Sequence, residues 1–313
     1  MSRILDGVDA FLDQIAAIDL LPAFVAVLCQ LARLFSTSQA WRNVLVAAYP
    51  DREVPRRSIY AAYLSGIGIN AIIPVRAGDA VRVVLAHRAI PDSTYTTVIS
   101  STLVLSIFDI AAASALLIWA AVTLDELPGI GDLPNLRSFD FAWLLDRPLM
   151  AELILAAVLI ALAILAVWIH GHVVDFWERI HQAFAVVRDP PAYFGSVAVW
   201  QAADWGLRLV TVWFMLDAFD IPQSIQNVLL VQVSSSLATL LPLTPGGLGT
   251  EQAFLLYVFS GTVPGSQLLA FSVGMRLILL ATNIVAGFTA ITLTLRTVDF
   301  RGVMKSAKDA QPP

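Results

Sequence analysis

Apolar residues fall in long blocks along this chain, separated by short polar loops. Blocks at about 20–45, 94–123, 148–171, 193–217 and 266–296 hold few charges. Each approaches or exceeds the roughly 20 residues that a helix needs to cross a bilayer. Two further blocks, 58–90 and 225–263, are also apolar but are broken in the middle by proline and glycine. The first 19 residues follow another rule. Ile4, Leu5, Val8, Phe11, Leu12 and Ile15 recur at helical spacing against Asp6, Asp9 and Asp13. That spacing predicts an amphipathic helix lying on a membrane surface.

The loops between the blocks differ in charge. The 46–57 loop carries Arg52, Arg56 and Arg57, the 172–192 loop carries Arg179 and Arg188, and the tail carries Arg296, Arg301, Lys305 and Lys308. The 124–147 loop is mostly acidic, with Asp125, Glu126, Asp132, Asp140 and Asp146, and 217–224 has only Asp217 and Asp220. Positive charge stays in the cytoplasm. The predicted C-terminus is therefore cytoplasmic and the N-terminus external, in the cell membrane.

Parity then constrains the broken blocks. Residue 57 lies inside, and the block starting near 94 must start inside to reach the external acidic loop. Block 58–90 therefore enters from the cytoplasm and returns to it, and 225–263 starts and ends outside by the same logic. The halves of block 58–90, 59–73 and 79–90, are short for full crossings. Both blocks read as re-entrant helical hairpins, although two short crossings per block would keep the same parity.

The expected fold is an all-α polytopic membrane protein with two inverted repeats, each containing a broken-helix hairpin. A surface helix (1–19) precedes a first repeat (20–123, hairpin 58–90). An external loop, a linking span and a cytoplasmic linker (124–192) follow. A second repeat (193–296, hairpin 225–263) and a cytoplasmic tail (297–313) complete the chain. Broken helices at matching places of inverted halves point to a transporter's substrate site.

Composition agrees with this picture. The chain is 58% hydrophobic and 14% charged, with a mean hydropathy of +0.76, where a soluble domain holds about 25% charged residues. The net charge of -5 speaks against nucleic acid as a partner. The single cysteine, Cys29, precludes an internal disulfide and is expected as a buried apolar residue.

The two breaks carry the candidate chemistry. In "INAIIPVRAGDAVR", Pro74 ends one half-helix, Gly78 allows a turn, and Asp79 is placed to cap the next. Arg76 and Arg82 flank that helix start. Free amides, a partial positive charge and two guanidiniums suit a phosphate or carboxylate. Asp79 competes for the same arginines and can hold them in the empty state. The second break, "LLPLTPGGLGTEQAF", repeats the order of proline, turn glycines (Gly246, Gly247) and an acidic helix start (Glu251). It lacks the lysine and the strand context of a nucleotide loop. A blander reading also fits: the prolines and glycines only kink helices, and the arginines snorkel to the interface. Arg88, near a block end, suits snorkelling best.

These residues resemble a known family. "N70-AIIP-V-R76-A-G78-D79-AVR82", followed by "LP-LTPGG-LG-T-E251", is similar to the paired signatures of the lysylphosphatidylglycerol synthase transmembrane region, or flippase-like domain family. The resemblance covers nearly the whole chain, with Arg276 matching the arginine of the last span and Asp109 the acidic residue of the third block. It implies movement of charged or lipid-linked headgroups across the membrane. Two departures accompany it. Against the family's pattern, the chain is expected to lack a soluble aminoacyl-transferase domain after the last span and to carry the surface helix in place of a leading span. The expectation is a stand-alone translocase-like domain.

Other polar groups lie within the apolar blocks. Asp204 and Arg208, four apart, suit an ion pair, whether structural or gating. Arg276 and Asn283 share a face and are expected to join Arg76, Arg82 and Glu251 in one central polar site, with Asn70 a further substrate-binding candidate. Gln30 and Arg33 are candidates for a matching part in the first block. Asp109 suits either an arginine partner or a proton carrier. Ser65, Gly66, Gly68 and Ser234 to Ser236 suit close helix packing. The pair His170 and His172 is too small a set for a metal site, and no serine–histidine or cysteine–histidine arrangement points to covalent catalysis.

The expected activity is translocation of an anionic or lipid-linked amphiphile, such as a phospholipid or a polyprenyl-phosphate derivative, with no cofactor. Two alternatives remain: a membrane group transferase on a lipid-phosphate, and a lipid-binding scaffold for a separate lipid-modifying enzyme.

Overall fold

The structure is a computed structural model, and it describes residues 17–73, 77–123, 181–240, 250–259 and 262–297. The surface helix over 1–16, the linking span at 148–171 and the tips of both breaks lie outside the described residues. Among the described residues all regular structure is helical.

The first apolar block is α1 (Leu20–Ala48), 29 residues or about 43 Å long. Asp19 caps it, its carboxylate accepting the Leu21 amide at 2.9 Å. The first broken block is α2 (Arg56–Ile72) and α3 (Ala77–Ala89), and the third block is α4 (Tyr95–Thr123). A 3-10 turn (Ala185–Arg188), a helical turn (Pro190–Tyr193) and a π-helical stretch (Phe194–Ala198) lead into α5 (Val199–Ala218). The second broken block is α6 (Ile225–Leu240) and α7 (Thr250–Val258), and α8 (Gly265–Thr297) is the last long helix. Helices α1, α4 and α8 are long and apolar enough to cross a membrane. Their exposed faces carry Phe24, Leu28, Phe35, Ile110, Ile118, Val285 and Phe288, as expected of helices solvated by lipid. Cys29 is only half-buried.

The most extensive packing joins α1 to α5. The two run antiparallel: the Asp19 amide donates to Ala218 O at 3.0 Å, and the Asn43 amide group donates to Ser196 O at 2.6 Å. Asn43 thereby donates to a carbonyl of the π-helical stretch. Helix α8 packs on α2, and α4 packs on α6.

Loops sort to two ends of the bundle. At one end Arg52 pairs with Asp92 at 3.0 Å, Thr94 N donates to the Tyr49 hydroxyl at 3.0 Å, and Gln182 donates to Ala48 O at 2.8 Å. At the other end Gln267 donates to Phe219 O at 2.9 Å and to Asp220 O at 3.0 Å. The segment containing α2 and α3 thus starts and finishes at the first end. The loops flanking α6 and α7 meet at the second.

Glycine permits the tightest contacts. A Cβ on Gly78 would stand 1.9 Å from Gly66 O, so only bare backbones let α3 lie this close to α2. Gly68 and Gly287 play the same part between α2 and α8, where a Cβ on Gly287 would stand 2.5 Å from Gly68 Cα.

Candidate functional site

Polar side chains in the described spans form three hydrogen-bonded sets, and the first and third adjoin at Tyr63, which lies beside both Arg82 and Thr37. The first lies where α2 meets α3. The Gly78 amide, an orphan donor in the first turn of α3, donates to Asn70 Oδ1 at 2.8 Å. Asn70 Nδ2 donates to Asp79 Oδ1 at 3.0 Å. Among the described residues, the acceptor for the first turn of α3 is therefore Asn70 from the preceding arm. Asp79 turns toward Arg82, whose Nη2 lies 3.4 Å from its carboxylate. The Arg82 guanidinium sits 5.8 Å from the ring centres of both Trp41 and Tyr63, an arrangement that holds a cation over two π faces. Its Nε, like the hydroxyl of Ser65, is buried without a hydrogen-bond partner among the described residues.

The second cluster belongs to the other broken block. Glu251, in the first turn of α7, accepts a hydrogen bond from Ser235 on α6. Arg276 of α8 approaches the second oxygen of that carboxylate at 3.7 Å. Glu251 is 14% exposed and Arg276 35%, so the acid is the more deeply buried partner. Beside it Gln252 donates to Ser272 at 2.9 Å.

The third cluster ties four long helices together. Asp204 on α5 accepts Arg33 Nε of α1 at 3.0 Å, Thr37 Oγ1 at 2.7 Å and Arg208 at 3.3 Å. Arg33 donates onward to Gln30 at 3.0 Å, and Gln30 donates to Asn283 of α8 at 2.9 Å. Arg208 lies 4.6 Å over the Trp205 ring, and Trp205 Nε1 donates to Asp109 of α4 at 2.9 Å.

Of the residues expected to form one polar site, Arg82 meets Asp79 and Arg276 meets Glu251. The pair of Asp204 and Arg208 forms as its spacing suggested and gains Arg33 as a second cation. Asn283 joins this third cluster, whereas Arg276, seven residues or about 10 Å away along α8, joins Glu251. Asp109 accepts the Trp205 indole N–H, and Trp205 in turn lies under Arg208. Thr37 and Trp205 escaped notice because threonine and tryptophan are ordinary residues in an apolar helix. Arg76, Gly246 and Gly247 lie outside the described residues. Arg88 is exposed in the last turn of α3, at a position that suits snorkelling.

Apolar helices of membrane length, with ion pairs enclosed between them, define a polytopic membrane protein. The family model described as lysylphosphatidylglycerol synthase TM region matches residues 4–287. The chain belongs to that family, whose description points to membrane proteins that act on lipids. No curated protein and no solved structure matches it.

Proposed function

We propose that this protein is a translocase that moves an anionic or lipid-linked amphiphile between the leaflets of the cell membrane. A phospholipid or a polyprenyl-phosphate derivative has the required chemistry. One observation carries the reading: the two broken blocks are chemically matched. Each second arm opens with a carboxylate in its first turn, held by a polar side chain of the first arm and by an arginine. The sets are Asp79 with Asn70 and Arg82 (3.4 Å), and Glu251 with Ser235 and Arg276 (3.7 Å).

Both ion pairs exceed the usual 2.7–2.9 Å of a charge-assisted hydrogen bond, which suits exchange. An incoming phosphate takes the guanidinium while the carboxylate keeps its amide or hydroxyl donor. When the headgroup leaves, the carboxylate recaptures the arginine, so neither charge is left bare in a low-dielectric interior. The Nε of Arg82, without a partner among the described residues, offers a further donor. Each broken block has its flanking loops at one end of the bundle, and α8 on α2 mirrors α4 on α6. Both facts favour inverted repeats with hairpins entering from opposite faces, and rocking of one half against the other would give alternating access.

The test is leaflet exchange of labelled phosphatidylglycerol in liposomes holding the purified protein. Arg82→Gln and Glu251→Gln should each slow exchange by about tenfold or more, the loss of one charge-assisted contact. Unchanged exchange in both variants would remove the proposed site. Product formed from a lipid-phosphate donor would favour a transferase, and retained lipid binding without exchange would favour a scaffold.

A further inference from the structure

A cavity of about 570 Å³ opens beside the start of α2, within the roughly 300–1,000 Å³ typical of small-molecule sites. Its lining has two characters. Arg56 and Arg57 supply charge, and Phe35 of α1, Leu64 of α2, and Ala290 and Leu293 of α8 supply apolar walls. Both arginines are exposed, and neither forms an ion pair among the described residues.

The backbone reinforces the charge. Helix α2 is 17 residues long, begins after Pro55, and has neither a side-chain cap nor an acidic residue in its first turn. Its orphan amides and the positive end of its dipole stand beside these two guanidiniums. A hydrophobic track continues from the other side of the cavity. Phe35 is 51% exposed, and Leu31 (41%) and Leu28 (48%) follow it along the same face of α1 at steps of one helical turn. The wall is braced, because the Phe35 ring meets the Tyr60 ring edge-on at 4.8 Å and the Tyr60 hydroxyl donates to Gln39.

The geometry points to a resident lipid site: an anionic phospholipid with its phosphate on Arg56, Arg57 and the α2 N-terminus, and its acyl chain along Phe35, Leu31 and Leu28. Inorganic or glycerol phosphate would leave the apolar track unused, and a zwitterionic lipid would bring a second, repelled positive charge to the arginines. The site is separate from the α2–α3 cluster, since Asn70 lies fourteen residues or about 20 Å further along α2. It does not depend on the translocase reading. A lipid there would pin the start of α2 against α1 and α8 and neutralise the arginines.

Native mass spectrometry of the protein released from detergent micelles tests this, with phosphatidylglycerol, phosphatidylcholine and glycerol phosphate as probes. Wild type should keep phosphatidylglycerol adducts in several-fold excess over phosphatidylcholine, and glycerol phosphate should not displace them. The double variant Arg56→Gln/Arg57→Gln should lose about tenfold in adduct abundance. Ala61→Trp, which fills the cavity without touching the charges, should lose the adduct as well. Arg82→Gln should keep it, so a failure of the translocase proposal would not touch this one. Adducts retained by the double variant and by Ala61→Trp, equal retention of both lipids by wild type, or displacement by glycerol phosphate would each overturn it.

Discussion

Arg33 on α1 and Asp204 on α5 form an ion pair of 3.0 Å, 171 residues apart in the chain. Asp204, 5% exposed, also receives Arg208 and the hydroxyl of Thr37. One carboxylate therefore joins two helices and keeps two guanidiniums from repelling each other unscreened. Asp204→Ala should destabilise the protein by about 3–5 kcal/mol, the cost of breaking a buried pair from one side. Arg33→Met should cost clearly less, because Asp204 retains Arg208 and Thr37. Thermal unfolding in detergent checks the order, and equal losses would contradict it.

Trp205 has two tasks that substitution can separate. Its ring carries Arg208 and its indole N–H satisfies Asp109. Trp205→Phe keeps a ring but orphans the carboxylate, at a cost of about 1–3 kcal/mol. Trp205→Ala also removes the ring and should cost more, about 3–5 kcal/mol. The same unfolding measurement distinguishes them.

Gly78 and Gly206 make an internal comparison. Gly78→Ala places a methyl group 1.9 Å from Gly66 O, whereas a Cβ on Gly206 meets nothing within 4 Å. The first substitution should cost about 1–3 kcal/mol through overpacking and force α3 off α2. The second should be neutral or stabilise α5 by up to about 1 kcal/mol. Yield of monodisperse protein on gel filtration, followed by thermal unfolding, reads both.

The meeting of Arg52 with Asp92 predicts the membrane arrangement of the first broken block. In a Cys29→Ala background, cysteines introduced by Pro55→Cys and Asp92→Cys should be labelled from the same face of the membrane. Asp220→Cys should be labelled from the other. Labelling of positions 55 and 92 from opposite faces would rule out a returning hairpin.

Much of the scaffold was legible in the chain. Apolar blocks at 20–45, 94–123 and 266–296 anticipated α1, α4 and α8 to within a few residues, and 58–90 anticipated α2 and α3. Asp204 and Arg208 were legible as a pair because four residues bring two side chains to one face of a helix. Gly66 and Gly68 were legible as packing residues because small side chains admit another backbone. The partners of Arg33, Asn283 and Asp109 were not. Asn283 shares a helix face with Arg276, yet it turns to Gln30 on another helix while Arg276 meets Glu251.

By itself the sequence determined that this is a helical membrane protein, where its helices run, where they break, and that an acid opens the second arm of each broken block. Burial in lipid is favoured residue by residue, and helix formation closes hydrogen bonds four residues apart, so both are written locally. Only the tertiary structure decided that Asn70 accepts the Gly78 amide at the start of α3, that Asp204 holds two arginines, and that Arg56 and Arg57 border a largely apolar cavity. Those contacts depend on how closely helices approach and at what angle they cross. Glycines such as Gly78 and Gly287 permit that approach, but the residues that meet across it are set by the assembled bundle.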